Sequence, residues 1–342
     1  MTSTTHRVYV DGTIHAEALE MLRRSNSEVV SGSGPEAVEM GAALPDVHAV
    51  LLRTASLGAE AIDRARSLRV IARHGVGVDN VAVDAAARRG IPVLITPRAN
   101  LRSVAEHAFA LMLAVSRNLV RADRSVREGG FASRDRLQGR ELFGTRLGVV
   151  GLGRIGGEVT RMAVRGFGMR VLGYDPSLPA DRIRERGAEP VEALPDLLGA
   201  CDLVTVHVPL SEATRGLLGR RELASMRPGS ILVQTSRGGV VDEDALVAAL
   251  RSGHLAGAGI DVYETEPPPE DHPFFSMEEV VLTPHTAAIT EQAMRRMALD
   301  AAQGILDILG GADPSDPPEG AGWRAFAPGS AVEPEEGTPP RR

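Results

Sequence analysis

The chain has 342 residues and a formal net charge of −7, with 43% hydrophobic and 24% charged residues. This length predicts about two domains with ordinary hydrophobic cores. The negative charge argues against general nucleic-acid binding, which requires a basic face, and the single cysteine, Cys201, excludes a disulfide within the chain. The N-terminal residues show no signal-peptide pattern, and the longest apolar run, Ala108 to Val115, is too short to span a bilayer. We therefore expect a cytoplasmic protein without membrane contact.

The first hundred residues alternate short apolar runs with helical patterns. The predicted strands are Arg7–Val10, Val47–Leu52, Val70–Arg73 and Pro92–Ile95. The predicted helices are Ala16–Arg24 and Ala59–Arg66. This alternation is typical of a parallel sheet covered by helices.

Two longer helices are predicted on either side of the central part of the chain. Ser103 and Glu106 have the spacing of a capping box, in which the serine caps the helix that follows. That helix is apolar on nearly every side, as a helix buried all round would be. Apolar residues also recur at helical spacing between Met294 and Leu309. Beyond them, residues 311–342 are rich in proline, glycine and acids, so we predict a disordered tail.

The most informative stretch is 147–156, an apolar strand that runs into the pattern G-x-G-x-x-G. Gly151 allows a tight turn, Gly153 lets a pyrophosphate approach the backbone, and Gly156 lets the next helix pack against the strand. That helix directs its free N–H groups at the phosphates. A second strand ends on Asp175, about 20 residues further on, where a carboxylate can hold the ribose hydroxyls of NAD. No arginine adjoins Asp175 in the sequence to meet a 2′-phosphate, so we predict NAD rather than NADP.

The strand and helix alternation continues after this fingerprint. Further strands are predicted at Leu203–Val208, Ser230–Thr235, Gly257–Ile260 and Val280–Leu282. The last three lead into Arg237, Glu266 and His285, at the sheet edge where open α/β folds bind ligands. Singly, each could be an ordinary turn, loop or cap residue. Together they provide what hydride transfer to a carbonyl requires: a proton donor, a carboxylate that stabilises its charged form, and a cation for an anionic substrate.

The chain resembles the D-isomer-specific 2-hydroxyacid dehydrogenase family, and most of all its D-3-phosphoglycerate dehydrogenase branch, from about residue 45 to residue 310. The motifs that carry the resemblance are RHGVGVDN (73–80), SVAEH (103–107), VVGLGRIG (149–156), GYDP (173–176), HVPL (207–210), SRGGVVDE (236–243), DV (261–262) with EP (266–267), and TPH (283–285).

This resemblance implies an α/β fold in which a Rossmann NAD-binding domain, residues 100–287, is inserted into a flavodoxin-like substrate-binding domain, residues 1–99 and 288–310. It also implies a short form without the regulatory domain of long phosphoglycerate dehydrogenases. Asparagine or cysteine is usual at the position of Gln234, and we expect the glutamine to be tolerated.

The resemblance also implies the roles of the site residues. Arg237 would bind the substrate carboxylate and carbonyl, His285 would be the acid and base, and Glu266 would pair with His285. No metal is expected. The cofactor would be NAD, held by Gly151, Gly153, Arg154, Ile155, Gly156, Asp175, His207, Val208, Pro209, Thr214, Thr235, Ser236, Arg237, Asp261, His285 and Ala287. Of these, Arg154 and Ile155 would meet the pyrophosphate and Asp175 the adenosine ribose. The nicotinamide side would comprise Val208, Pro209, Thr235, Ser236 and Asp261.

The implied substrate is a small anionic 2-hydroxy or 2-oxo acid. Its site would comprise Arg53, Arg73, Gly75, Val76, Gly77, Asn100 and Arg237, with the amides of residues 75–77 forming an anion nest. In the phosphoglycerate branch, an arginine at the Arg53 position meets the substrate phosphate. Arg53, Arg73, Arg98 and Arg102 all follow predicted strands, and four cations at one edge favour a second anionic group on the substrate. Arginines that cap strand ends are common, however, and would account for some of them.

Other readings remain open at this point. Glyoxylate or hydroxypyruvate reduction and phosphite oxidation occur on the same fold, whereas formate dehydrogenases pair the histidine with glutamine, which Glu266 contradicts. A non-enzymatic alternative is an NAD-sensing corepressor that binds peptide motifs. The resemblance further implies a homodimer, with the segment from Arg121 to Leu142 crossing to the partner.

Overall fold

The computed structural model describes residues 5–326. They form two compact units, of which the first contains the chain up to Asn100 and from Ile289 onward. The second unit runs from Leu101 to Ala288. The central part of the chain is thus one continuous unit, and the other unit is built from both ends.

The elements are numbered in chain order. The strands are β1 (His6–Val10), β2 (Ser27–Ser31), β3 (Ala49–Leu52), β4 (Val70–Arg73), β5 (Val93–Ile95), β6 (Arg146–Val150), β7 (Arg170–Tyr174), β8 (Glu189–Pro190), β9 (Leu203–Val206), β10 (Ser230–Gln234), β11 (Leu255–Ile260), β12 (Val280–Leu282) and β13 (Arg324–Ala325). The helices are α1 (Ala16–Arg24), α2 (Met40–Ala43), α3 (Ala59–Arg64), α4 (Val83–Arg88), α5 (Leu101–Ser116), α6 (Leu119–Arg127), α7 (Arg154–Phe167), α8 (Ala180–Glu185), α9 (Leu194–Ala200), α10 (Arg220–Ser225), α11 (Glu243–Arg251) and α12 (Glu291–Leu309). Short 3₁₀ segments lie at Leu44–Asp46, Phe131–Leu137 and Pro273–Ser276.

The first unit contains a sheet in the order β13-β5-β4-β3-β1-β2. The strands β1 to β5 are all parallel, and their order in the sheet, β2-β1-β3-β4-β5, is the flavodoxin-like one. All four residues of β3 are buried, as expected for a central parallel strand covered on both faces. One face of the sheet packs under α1 and α12 and the other under α3 and α4.

The second unit contains a parallel sheet in the order β12-β11-β10-β9-β6-β7-β8. Counted from β6, this is the Rossmann order with a seventh strand added at one edge. The strand order reverses between β6 and β9, and such a switch point is where doubly wound sheets bind their ligands. The predicted fold class is therefore confirmed for both units.

The structure corrects the predicted start of α5. A turn closed by the Ala99 N–H on the Thr96 carbonyl leads the chain into the helix at Leu101. Ser103 therefore lies inside the helix with a buried side chain, so the predicted capping box is wrong. The predicted burial is confirmed, because most of α5 is buried and a Cβ on Gly259 of β11 would lie 2.8 Å from a side-chain atom of α5.

The predicted disorder from residue 311 is wrong for the residues up to 326. Trp323 is fully buried against α12, and its Nε1–H donates to Asp307 at 2.7 Å. The next two residues form β13, which pairs antiparallel with β5. One large apolar side chain and one free sheet edge are enough to order this segment, although its composition is rich in proline and glycine. The predicted tail beyond residue 326 lies outside the described residues.

Cys201 lies in the hydrophobic core of the second unit. Cys201 is fully buried, and burial raises the pKa of its thiol to about 12, which keeps it protonated and unreactive. Within residues 5–326, no helix combines the length and the apolar character needed to cross a bilayer.

Candidate active site

The glycine turn between β6 and α7 has a separate physical reason for each glycine. Gly151 has a φ of +87°, which side chains disfavour, and a Cβ there would also lie 2.7 Å from Val208. A Cβ on Gly156 would lie 2.0 Å from the Gly151 carbonyl oxygen. A Cβ on Gly153, by contrast, would have no heavy atom of the described residues within 4 Å beyond its chain neighbours. That open space beside the N-terminus of α7 is what a pyrophosphate requires.

Asp175 follows β7 directly and lies beside this turn. Its Oδ2 accepts the Leu152 N–H at 2.8 Å, and its Oδ1 accepts the N–H and the hydroxyl of Ser177 at 3.0 and 2.6 Å. The carboxylate is therefore held in a fixed orientation by the chain itself.

Arg186 is a cation that the sequence reasoning missed near Asp175. Its side chain packs against Gly157 of α7, and one of its terminal nitrogens is buried with no hydrogen-bond partner among the described residues. Burial lowers the pKa of Arg186, while the charge of Asp175 acts in the opposite direction. Only the packing of α8 against α7 brings the two residues near each other, so no pattern adjacent to Asp175 could have revealed the arginine.

The residues expected near the nicotinamide lie at the ends of β9 and β10. His207 hydrogen-bonds Thr205 at 2.9 Å, and burial lowers its pKa to about 3, so it is neutral at physiological pH. The Thr214 hydroxyl donates to the Pro209 carbonyl and so braces a turn. The Thr235 hydroxyl is buried and lacks a hydrogen-bond partner within the described part of the chain. It is therefore the member of this group with free capacity for a carboxamide.

His285 lies just after β12 with a φ of +52°, a strained conformation for a residue with a side chain. Its Nδ1 is 2.7 Å from Glu266 Oε2. The other ring nitrogen, Nε2, is therefore the one that can exchange a proton with a ligand. Both side chains remain accessible, at 43% and 37% exposure. Burial alone would raise the pKa of Glu266, but hydrogen bonds from His285 and the Tyr263 N–H, with the charge of Arg237, lower it overall. Glu266 is therefore a carboxylate when it meets the imidazole.

Asp261 is the main support of the turn that carries His285. Its side chain is fully buried and accepts hydrogen bonds from the Thr283 hydroxyl at 2.5 Å and from the N–H groups of Thr286 and Ala287 at 2.8 and 3.0 Å. Its backbone carbonyl accepts the His285 N–H at 2.8 Å. The hydrogen bonds of the carboxylate thus come from the chain itself.

His107 completes this network and was not among the predicted site residues. Its Nε2 is 2.9 Å from the Thr283 hydroxyl and 3.4 Å from Asp261. Burial alone would raise the pKa of Asp261, but the hydrogen bonds from His107, Thr283 and the backbone hold it below the usual value. The SVAEH motif contains His107, so the signal was present, but its partner lies far away in sequence.

Arg237 lies in the turn after β10, and Gln234 shapes that turn. The glutamine Nε2 donates to the Arg237 carbonyl at 2.8 Å, and its Oε1 accepts the Ser236 hydroxyl at 2.9 Å. Arg237 is partly buried, and its charge contributes to the lowered pKa of Glu266. The structure thus brings Arg237, Glu266 and His285 together in the second unit.

In the first unit, Arg73 is bonded to the backbone of two loops. Its Nε donates to the Gly77 carbonyl at 2.7 Å. Its Nη1 donates to the carbonyls of Leu52 and Arg53 at 2.7 and 2.6 Å. Arg73 therefore ties the loops after β3 and β4 together. Of the four arginines predicted at one edge, Arg102 is an exposed residue of α5 and belongs to the second unit.

Arg53 keeps an accessible guanidinium at the carboxyl end of β3. A single Asp11 oxygen accepts the N–H groups of Arg53, Thr54 and Ala55 at 2.7–2.9 Å and so fixes this loop. Within the described residues, the Arg53 side chain donates only to the Thr13 carbonyl, at 3.1 Å. Of the remaining cations, Arg98 is exposed in the loop after β5 of the same unit.

The predicted anion nest begins at Gly75, whose φ of +134° requires glycine. The Gly75 carbonyl is turned inward and accepts the N–H and hydroxyl of Thr96 at 2.9 and 3.3 Å. Asn100 has a buried Oδ1 for which residues 5–326 supply no hydrogen-bond donor. Both are features of the first unit that could receive polar groups of a ligand.

Comparison with known proteins places the chain in a family. The family model for the D-isomer specific 2-hydroxyacid dehydrogenase, NAD binding domain, matches residues 109–287. The chain is 40% identical over 306 residues to the D-3-phosphoglycerate dehydrogenase of Archaeoglobus fulgidus, covering 89% of this chain and 58% of that protein. It is 38% identical over 310 residues to the hydroxypyruvate reductase of Thermotoga maritima, covering 89% and 99%. The chain belongs to the D-isomer-specific 2-hydroxyacid dehydrogenase family.

Comparison with solved structures agrees with this family assignment. The TT0316 protein from Thermus thermophilus matches with a TM-score of 0.82 and 37% identity, over 91% of this chain and 99% of that one. The holo form of D-mandelate dehydrogenase from Rhodotorula graminis matches with a TM-score of 0.80 and 29% identity, over 89% and 94%. The matched family region contains the glycine turn and Asp175, and the cofactor of this domain is NAD. The chain spans little more than half the length of the phosphoglycerate dehydrogenases that it matches.

The different surroundings of two glycines in the cofactor turn give a test. Gly153→Ala should leave the Tm of the ligand-free protein nearly unchanged and weaken NADH binding about ten-fold or more, because the methyl group occupies the pyrophosphate space. Gly156→Ala should instead lower the Tm by about 3 °C or more, since its Cβ collides with a backbone carbonyl. NADH fluorescence titration and thermal melting would measure the two effects. Tight NADH binding by Gly153→Ala would contradict this assignment.

Proposed function

We propose that the protein is an NAD-dependent dehydrogenase that interconverts a D-2-hydroxy acid and its 2-oxo acid. The observation that carries the proposal is the His285–Glu266 pair at 2.7 Å, next to the charge of Arg237, in the unit that contains the NAD turn. The names of the relatives are in agreement, because 3-phosphoglycerate is a 2-hydroxy acid and hydroxypyruvate a 2-oxo acid.

The proposed mechanism assigns one task to each side chain. The Arg237 guanidinium binds the substrate carboxylate and polarises the adjacent carbonyl. Bound NADH supplies the hydride that reduces C2. His285 gives its Nε2 proton to the carbonyl oxygen, which becomes the hydroxyl, and Glu266 stabilises the imidazolium before transfer. In the reverse direction, neutral His285 takes the hydroxyl proton.

The preference for NAD over NADP rests on Asp175. Its carboxylate lies beside the glycine turn, and its negative charge would repel a 2′-phosphate. Arg186 moderates this repulsion because it is a partly buried cation that interacts with Asp175. We still expect NAD to be preferred, since the arginine lies against α7 and the carboxylate is the group fixed beside the turn.

A kinetic screen with catalytic variants tests the function. NADH and NADPH oxidation would be followed with plain, phosphorylated, sulfonated and phosphonated 2-oxo acids. We expect turnover with NADH, a fall in kcat of about 100-fold or more in His285→Ala, and nearly unchanged NADH binding, since the histidine acts in the chemical step. Lack of turnover with every acid would refute the proposal, and equal kcat/KM with both cofactors would refute the preference for NAD.

The same screen gives a pH test of Glu266. When hydroxy acid is oxidised, the histidine must be neutral to accept a proton, so activity falls on the acid side. Glu266→Gln removes the charge that stabilises the imidazolium, so this acid limb should move to lower pH. Glu270→Gln, an exposed acid of the same loop, is the control and should leave it in place. An unchanged limb in Glu266→Gln would mean that Glu266 is not the partner of His285.

We infer further that the substrate has a second anionic group, which Arg53 binds. Arg73 is committed to backbone carbonyls, whereas Arg53 has a fixed backbone and an accessible guanidinium. Arg53→Ala should raise KM for a phosphorylated or otherwise dianionic substrate about ten-fold or more, the effect of losing a charge-assisted hydrogen bond. KM for a monoanion such as glyoxylate should hardly change, which makes it the internal control. The proposal fails if lactate or glycolate is as good a substrate as any dianion.

We also propose that the protein is a homodimer. Five large apolar side chains of the second unit are more than half exposed within a short stretch of chain, namely Leu119, Val120, Val126, Phe131 and Phe143. Exposed apolar groups so concentrated are typical of an interface, and the stretch overlaps the segment that the family resemblance assigns to dimer contact. Light scattering should give twice the chain mass, and Val126→Asp with Phe131→Asp should give a monomer. Val38→Asp, at an exposed apolar residue of the first unit, is the control, and a monomeric parent protein would exclude the dimer.

A further inference from the structure

The loops that carry Arg237 and Glu266 are joined at the N-terminus of α11. Glu243 is the first residue of this helix, and its Oε1 accepts the Glu264 N–H at 2.8 Å. Glu264 in turn accepts the Glu243 N–H at 3.3 Å. The two glutamates thus exchange side-chain to backbone hydrogen bonds between the segment that follows Arg237 and the segment that precedes Glu266.

His272 adds a third attachment to the same point. Its Nε2 is 3.0 Å from Glu243 Oε2, and its Nδ1 accepts the Phe274 N–H at 3.3 Å. Because Nδ1 is an acceptor, Nε2 carries the proton and donates it to the glutamate. The neutral imidazole makes both bonds. The side chains of Glu243 and His272 are only 18% and 8% exposed. We call Glu243, Glu264 and His272 the loop clasp.

The backbones of the two loops are closely packed against each other. A Cβ on Gly238, the residue after Arg237, would lie 1.7 Å from the Tyr263 carbonyl oxygen and 2.7 Å from the Glu264 nitrogen. Tyr263 also donates its N–H to Glu266 at 3.1 Å and its hydroxyl to the Thr283 carbonyl at 3.2 Å. A shift of residues 263–264 would therefore be transmitted to Glu266 and to the turn that holds His285.

We propose that Glu243 is a positioning residue for the reaction, because its hydrogen bond to the Glu264 N–H sets the register between the Arg237 loop and the Glu266 loop. This inference rests on the proposed function for its catalytic meaning. Among the described residues, the hydrogen bonds of Glu243 go to Glu264 and His272 and not to the glycine turn or His285. Loss of the Glu243 side chain would then disturb the alignment of Glu266 with His285 and leave the glycine turn unchanged. A merely structural brace would lower stability without this selectivity.

The test compares four variants. Glu243→Ala removes the bonds to Glu264 and His272, whereas Glu243→Gln keeps an oxygen for the Glu264 N–H and loses the bond from His272. Asp244→Ala is the matched control, because this exposed acid lies on the same helical turn. Glu266→Gln shows the full effect of losing the carboxylate beside His285.

The first readout needs no turnover. NMR would follow the protonation of the His285 imidazole with pH in the ligand-free protein. We expect the midpoint of Glu243→Ala to move down by about one pH unit, in the direction of Glu266→Gln, because Glu266 no longer holds its place at Nδ1. Glu243→Gln should show only a small shift in the same direction, because it keeps the bond to the Glu264 N–H and loses only the bond from His272. Asp244→Ala should titrate like the parent protein. A parental midpoint in folded Glu243→Ala would overturn the inference.

The second readout is kinetic and separates the inference from the proposed function. With an active substrate, Glu243→Ala should lower kcat about ten-fold or more with an NADH Kd within about two-fold of the parent, a loss that Glu243→Gln largely restores. Equal losses of kcat, NADH binding and Tm would indicate a structural role and overturn it. If the parent turns over no 2-oxo acid, the function fails while the NMR midpoint still decides the inference. If Glu243→Ala does not fold, His272→Asn takes its place, because asparagine can still accept the Phe274 N–H. The His285 midpoint of this variant should shift less than that of Glu266→Gln but in the same direction. No shift would overturn the inference.

Discussion

A buried carboxylate is tolerated in a protein only when hydrogen bonds replace the water that it loses. Asp261 satisfies this requirement by gathering donors from a distant helix and from the turn after β12. The turn that carries His285 is built around that carboxylate, and the backbone carbonyl of Asp261 accepts the N–H of the histidine, whose own backbone is strained. The position of the proposed acid and base therefore follows from the need to satisfy one buried charge.

The first unit uses the same device at a different place. Asp11 accepts three successive backbone N–H groups and fixes the loop after β3, and Arg73 gathers carbonyls from two loops. One anion, Asp11, and one cation, Arg73, thus hold the loops at the carboxyl edge of the sheet. Arg53 is left with the freedom that a ligand contact needs. In both units, the residues that hold loops are as highly charged as those proposed to meet a ligand, which is why residue type alone does not separate them.

Much of this organisation could be predicted from the sequence. The glycine spacing and the acid after the second strand predicted the NAD turn, because Gly151 and Gly156 have local steric reasons and Gly153 keeps the space beside the helix open. The alternation of strands and helices predicted both sheets. What could not be predicted depends on contacts between distant residues. The start of α5 is set by a turn before it rather than by Ser103, and the segment around Trp323 is ordered by packing that its composition does not reveal. Likewise, nothing near Asp175 in the sequence indicates Arg186.

The burial of Trp323 also has an optical consequence. It is the sole tryptophan of the chain, and it lies in the apolar core of the first unit. Indole emission excited at its red edge therefore monitors the folding of that unit, while the second unit contributes no indole signal. Circular dichroism, by contrast, averages over both. A difference between the two signals during denaturation would show that the units unfold in separate steps, and the protein needs no added label for this measurement.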